Sequence, residues 1–253
     1  MQVERRTVRF WIWIIVLGIL LVLLSPSQGE AKTKFLGFKK EKKSSAVPKG
    51  WEIIPYFLTA KNKLSLSKEG KRTILRVKSI GSASGVLKRL EIDVKKFPVL
   101  VWRWKINRVA GMAIETRKDR NDAAARIRVI FGKRQPKPVK GPPEILKFFK
   151  SFGIQPGGKE PRGFKIDYIW GNNLSKGDVI DYPGSKNHKM VVVERGNERA
   201  KRWVWEKRNL IEDFQEFFRR SPPALIGIMV LTDTDQTNEG VIAHYGSIIM
   251  MDK

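Results

Sequence analysis

Any chemistry in this chain has to come from a small set of side chains. The loop Thr232–Glu239 reads TDTDQTNE. Its Asp233, Asp235, Asn238 and Glu239 are hard oxygen donors of the kind Ca²⁺ takes, although Asn238 stands where an EF-hand loop needs its glycine. The same residues also suit a polar turn in which Asp and Asn bond nearby backbone. Asp233 and Asp235 are therefore weak Ca²⁺ ligands on one reading and turn residues on the other; no other cofactor is indicated. Arg103, Arg126 and Arg128 alternate with apolar residues, and Asp122 lies just ahead of the latter two, placed to orient Arg126. On neighbouring strands these arginines form a patch that grips carboxylate or phosphate bidentately. On separate strands they are a solvated outer face.

Aromatic residues add a second kind of binding chemistry, because a flat ring stacks on the C–H face of a sugar. Trp102, Trp104, Tyr168, Trp170, Trp203 and Trp205 all fall in segments that read as strands. Trp102 and Trp104 share a face with Leu100 and Ile106, so the core accounts for them. Tyr168 and Trp170 remain ligand-binding candidates with Arg103, Arg126, Arg128 and Asp122. Standard catalytic motifs are missing. Gly81-Ser82-Ala83-Ser84-Gly85 carries Ala where a nucleophile elbow needs Ser. His188 and His244 are the two histidines, without HExxH spacing. Cysteine is absent, which excludes disulfides and thiolate metal sites.

The elements that must hold these residues read as strands. Leu100, Trp102, Trp104 and Ile106 alternate with Val99, Val101, Arg103 and Lys105, a period of two. Ala125 to Phe131 and Phe164 to Trp170 repeat the pattern. Thr73–Ser79, Val86–Val94, Met190–Glu194, Arg202–Lys207, Leu225–Leu231 and Val241–Met251 read as further strands. Many strands without regular intervening helices predict an all-β antiparallel sandwich. Leu210, Phe214 and Phe217, capped by Asn209 and stopped by Pro222-Pro223, predict one short helix. A second falls in Pro143–Phe152, inside a basic Pro-, Gly- and Lys-rich insertion at 132–163.

The N-terminus sets the compartment. Arg5, Arg6 and Arg9 precede an apolar run from Phe10 to Leu24, and Gly29-Glu30-Ala31 follows a Ser-Pro-Ser break. This is the layout of a secretory signal. As a helix the run spans about 22 Å, short of a bilayer core of roughly 30 Å. Residues 1–31 are thus expected to be a signal peptide, with an uncleaved anchor as the alternative. Residues 32–50 read as a basic flexible tether, and 51–253 as a single sandwich domain. The formal charge is +25. Export to the periplasm or cell envelope argues against nucleic acid and for an anionic glycan or lipid headgroup as partner, with peripheral membrane contact as a further option.

Several segments together resemble a bacterial family of exported proteins, domain of unknown function 3047. They are Gly81–Leu87, PVLVWRWK at 98–105, DAAARIRVIF at 122–131, IDYIW at 166–170, Arg208-Asn209-Leu210 with Asp213-Phe214, TDTDQT at 232–237 and AHYGSI at 243–248. The family's acidic pair ahead of the arginine strand reads Asn121-Asp122 here, and the basic insertion is unusual for it. The resemblance implies architecture and export, not a mechanism. Trp205, Asp213-Phe214, Leu225–Leu231 and Tyr245–Met251 also follow the order of a galactose-binding-like jelly roll. The expected function is a non-catalytic envelope module that binds an anionic glycan or glycolipid. The alternatives are a hydrolase or lyase that uses carboxylates such as Asp122, Asp233 and Asp235, and a peripheral membrane or structural envelope protein with Ile145–Phe152 on lipid.

Overall fold

The computed structural model describes residues 31–38, 47–56, 58–134 and 160–253. Among these residues, thirteen strands and one helix follow in the order β1(Thr33–Phe35), β2(Glu52–Pro55), β3(Lys63–Glu69), β4(Arg72–Ile80), β5(Ala83–Ile92), β6(Val99–Ile106), β7(Ala123–Phe131), β8(Phe164–Gly171), β9(Val179–Tyr182), β10(Ser185–Arg195), β11(Val204–Asn209), α1(Leu210–Phe218), β12(Leu225–Asp233) and β13(Gly240–Met251). They form two sheets. The six-stranded sheet runs β11-β6-β13-β4-β3, with β1 also on β13; the seven-stranded sheet runs β2-β5-β12-β7-β8-β10-β9. From β4 to β7, and again from β10 to β13, the chain changes sheet at every step, the crossing habit of a jelly roll. The expected all-β sandwich is therefore what the chain forms, with one correction: β8 and β10 pair in parallel.

The interior is built by the alternation legible in β6. Leu100, Trp102, Trp104 and Ile106 point inward and are fully buried. From the opposing sheet, Tyr168 meets Trp102 at 5.3 Å and Trp170 meets Trp104 at 5.8 Å between ring centroids. Such pairs contribute about 0.5–1.5 kcal/mol each beyond area burial. The helix forms as its spacing predicts. Asn209 caps it by accepting from the Ile211 and Glu212 amides, Leu210 and Phe214 are buried, and Arg219 ends it in the left-handed conformation.

Part of the segment expected to be a loose tether is structured. Thr33–Phe35 pairs with Ile249–Met251, and Leu36 and Phe38 are buried, Phe38 against Trp51 at 4.9 Å. The lysine content of this stretch hides two anchoring apolar residues. The expected signal at 1–31 and the expected helix at 143–152 lie outside the described residues, apart from Ala31. No helix among the described residues is long and apolar enough to cross a membrane.

Candidate functional site

The predicted site residues are distributed over three places. Tyr168 and Trp170 face the interior and are buried to 0% and 1% exposure. Tyr168 Oη donates to Asp213 Oδ2 at 2.5 Å, and Trp170 Nε1 donates to the Gly196 carbonyl. Neither ring is open to a ligand, which corrects the expectation for both. Their strand alternates with apolar Ile169, which is also buried, so hydropathy alone did not distinguish the two faces.

Arg126 and Arg128 lie on the outer face of the seven-stranded sheet, but not as a solvated patch. Both are buried. Register places Arg128 opposite Asp167 on β8. Arg128 reaches Asp167 with Nε at 2.7 Å and Nη2 at 2.8 Å, and Glu160 with Nη1 at 2.7 Å. Arg126 donates to Asp167 at 2.8 Å, to the Asn121 carbonyl at 3.1 Å and to Asp233 at 3.3 Å. His188 Nε2 stands 3.0 Å from Asp167 Oδ1, without the alignment of a hydrogen bond. The Tyr182 ring stacks on His188 at 4.2 Å and lies near both guanidinium groups, and Tyr56 donates to Glu160 at 3.0 Å. Beside Tyr182 the β9–β10 turn borders an open cleft of about 460 Å³ with Thr116 and Lys186 on its rim.

Charge within this network is nearly balanced. Burial works against ionised Asp167, yet Arg128, His188 and Arg126 hold its carboxyl well below the usual range. Burial likewise opposes ionised Glu160, but Arg128 and Lys165 bring it down to about 2. Asp233 goes the other way. Burial outweighs the attraction of Arg126, and with Asp122 nearby its carboxyl is pushed up to about 7.

Asp122 does not orient Arg126. It ties down the acidic loop, accepting from the Thr237 amide at 2.7 Å and the Thr237 hydroxyl at 2.6 Å. Asp233 Oδ1 accepts from the Ala123 amide at 2.7 Å. The structure brings Asp122, Asp233 and Asp235 near one another, but protein donors occupy the oxygens of the first two. No group of three or more His, Cys, Asp or Glu among the described residues is placed to hold a metal ion.

Arg103 is on the other sheet, so it forms no patch with Arg126 and Arg128. It belongs to an open outer face built from β3, β4, β13, β6 and β11. Its guanidinium lies 4.3 Å from the Trp203 ring and 5.9 Å from that of Trp205, which is 48% exposed. The stem lies flat across Gly246, where an added Cβ would fall 2.6 Å from Arg103 Nε. Glu69 accepts from Arg103 and, at 2.7 Å, from Trp203 Nε1. Next to this stack runs a row set by register, in which His244 sits directly opposite Arg76 on one side and Lys105 on the other. Lys78 lies opposite Lys63 one step further along. Among the described residues, Arg76, Lys78 and Lys105 form no ion pair, though Lys105 lies 5.0 Å from the Trp203 ring. Burial, then Lys105 and Arg76, hold His244 neutral down to about pH 4.

Sequence reading missed Asp167, Glu160 and the row Arg76–His244–Lys105. Asp167 was visible as a lone acid between Ile166 and Tyr168. The row becomes visible only once β4, β13 and β6 are known to be neighbours.

Residues 49–249 match the family described as Protein of unknown function (DUF3047), and the chain belongs to that family. No curated protein matches it. Among solved structures it is similar to the winged bean acidic lectin complexed with methyl-α-D-galactose, at 10% identity and a TM-score of 0.38, covering 88% of this chain and 98% of that one. It is also similar to the carbohydrate recognition domain of Emp47p, at 9% identity and a TM-score of 0.30 over 90% and 98% of the two chains. The family 11 xylanase from Neocallimastix patriciarum stands at 6% identity and a TM-score of 0.30 over 88% and 96%.

Proposed function

We propose that this member of the DUF3047 family is a non-catalytic module that binds an anionic glycan on the outer face of its six-stranded sheet. One observation carries the reading: two cationic side chains, Arg76 and Lys105, flank the neutral imidazole of His244 with no carboxylate between them among the described residues, next to the indoles of Trp203 and Trp205. Like charges directly opposite each other, as Lys63 and Lys78 are on the same face, cost stability. An acidic ligand removes that cost. Trp205 offers the C–H face of a sugar a flat partner, Arg76 and Lys105 offer donors to its acid groups, and Arg103, paired with Glu69, packs against the indoles.

The buried arginine network supports this choice by contrast, because its donors are consumed internally. The same reading places the protein in the cell envelope after export, on the strength of its basic and apolar N-terminal residues. Titration of the purified chain against an acidic polysaccharide and its neutral counterpart, at low and high salt, tests the function. Binding of the acidic polymer that weakens as salt rises is expected. Equal binding of both polymers, or none of either, overturns the reading, and capture by anionic vesicles alone replaces it with a lipid partner. Fractionation of cells tests the location, with recovery in the envelope expected and the cytosol contradicting it.

A further inference from the structure

The cationic face continues into a cleft at its β3–β4 edge. A space of about 230 Å³ opens among Ala60, Lys61, Lys63, Lys78, Ile80 and Ser82. The local sequence builds it. Asn62 turns inward and is buried, with Nδ2 donating to the Thr232 carbonyl at 2.7 Å and to the Ser84 carbonyl at 3.3 Å. Pinning Asn62 sends its neighbours Lys61 and Lys63 outward, since successive residues of an extended chain point to opposite sides. Ala60 bridges Ser82 and closes one end, and the exposed side chain of Ile80 forms a wall. Lys78 enters from β4, directly opposite Lys63. Lys63 and Lys78 thus face each other beside one cleft that Lys61 also lines, and no acidic residue among the described residues lines it.

We infer that this cleft is a phosphate subsite, contributed by Lys63 and Lys78, and that the ligand of the adjoining face carries phosphomonoester groups. The naming of the ligand rests on the glycan reading above; the subsite itself does not. An ammonium group is a compact point charge that binds phosphate from any side, and two of them match the double charge of a phosphomonoester better than the single charge of a carboxylate. The cleft also connects to the platform. Lys78 and Arg76 are two residues apart on the same face of β4, about 7 Å along the strand, and Arg76 begins the row that leads through His244 and Lys105 to Trp203. A phosphoryl group in the cleft and a sugar on the indoles lie on one continuous track.

The test uses the full chain with its lysines reductively dimethylated, which keeps their charge and makes each visible by NMR. Inorganic phosphate, glucose 1-phosphate and a uronate oligosaccharide are titrated in turn. Saturable shifts of the Lys63 and Lys78 signals with both phosphates are expected. The double variant Lys63→Ala/Lys78→Ala is expected to bind glucose 1-phosphate at least about tenfold more weakly, equivalent to about 1.4 kcal/mol, and to lose less affinity for the uronate. The Lys63→Arg/Lys78→Arg variant, which keeps the charge, is expected to recover most of the phosphate affinity that the alanine variant loses. Absence of saturable shifts, or equal losses for phosphate and uronate, overturns the subsite. Lysine shifts that persist while Trp205→Ala changes no affinity uphold the subsite and contradict the glycan reading instead. Vesicles containing phosphatidic acid form a separate arm: Lys63- and Lys78-dependent capture there upholds phosphate recognition and assigns its source to a lipid headgroup.

Discussion

On the seven-stranded sheet, Arg126 and Arg128 are covered by tyrosine rings and direct their donors to Asp167, Glu160 and Asp233. On the six-stranded sheet, Arg76 and Lys105 face each other across His244 with no carboxylate between them, and Arg103 lies flat between indoles. One outer face is an internally neutralised network; on the other, Glu69 is taken up by Arg103 and Trp203, and Arg76, Lys78 and Lys105 form no ion pair among the described residues. A basic residue therefore points to a ligand only once its partners are known. A net charge of +25 does not distinguish the two faces; register and burial do.

Removing an acid from the closed network is expected to have the largest effect. Asp167→Asn leaves two buried guanidinium groups short of a partner, and loss of one member of a buried ion pair costs about 3–5 kcal/mol. Urea unfolding is expected to show that loss, while the folded fraction keeps its affinity for acidic polysaccharide. A stability change near zero would mean that the network is no more closed than the opposite face.

The pH dependence probes the same network in a second way. Asp233 has its folded pKa raised to about 7 from 3.8. A raised carboxyl binds protons more tightly when folded, so its contribution is full below pH 3.8 and is lost as pH rises through about 7. Asp233→Asn should flatten urea midpoints measured across that window, by up to about 4 kcal/mol at linkage. Glu160 has the opposite sign: lowered to about 2, it contributes above pH 4.5 and that contribution is lost on acidification.

On the open face, Trp205→Ala is expected to weaken acidic polysaccharide binding about tenfold, or about 1.4 kcal/mol, and to shift stability by no more than about 0.5 kcal/mol. A stability loss without an affinity loss would make Trp205 structural. The smallest expected effect is at His244. A bound anion raises its pKa from about 4, so calorimetry in buffers of different ionisation enthalpy should detect fractional proton uptake on binding near pH 5, and His244→Gln should abolish it.

Much of the fold was legible because local pattern and tertiary role agree. Trp102 and Trp104 alternate with polar residues and fill the core, and Asn209 caps the helix that Leu210 and Phe214 predict. The short strands β1, β2 and β9 escaped because three or four residues are too few for alternation to register. In β3 the alternation of Leu64 and Leu66 with serines was present but weak. The site was less legible for a different reason. Arg128 and Asp167 are partners only because β7 and β8 are adjacent, and Arg76 and Lys105 only because β13 runs between their strands. Tyr168 and Trp170 read as ligand candidates because Ile169 beside them is as apolar as they are, while Asp167, the one acid that marks the outer face of β8, is itself buried under Arg126 and Arg128.

The most direct measurement compares acidic polysaccharide binding by two surface variants of the folded chain, Arg76→Ser/Lys105→Ser/Trp205→Ala on the six-stranded sheet and Thr116→Ala/Lys186→Ser beside the Tyr182 cleft. Loss of binding in the first and full retention in the second is the predicted result. Retention in the first, or loss confined to the second, would contradict the assignment of the ligand to the outer face of the six-stranded sheet.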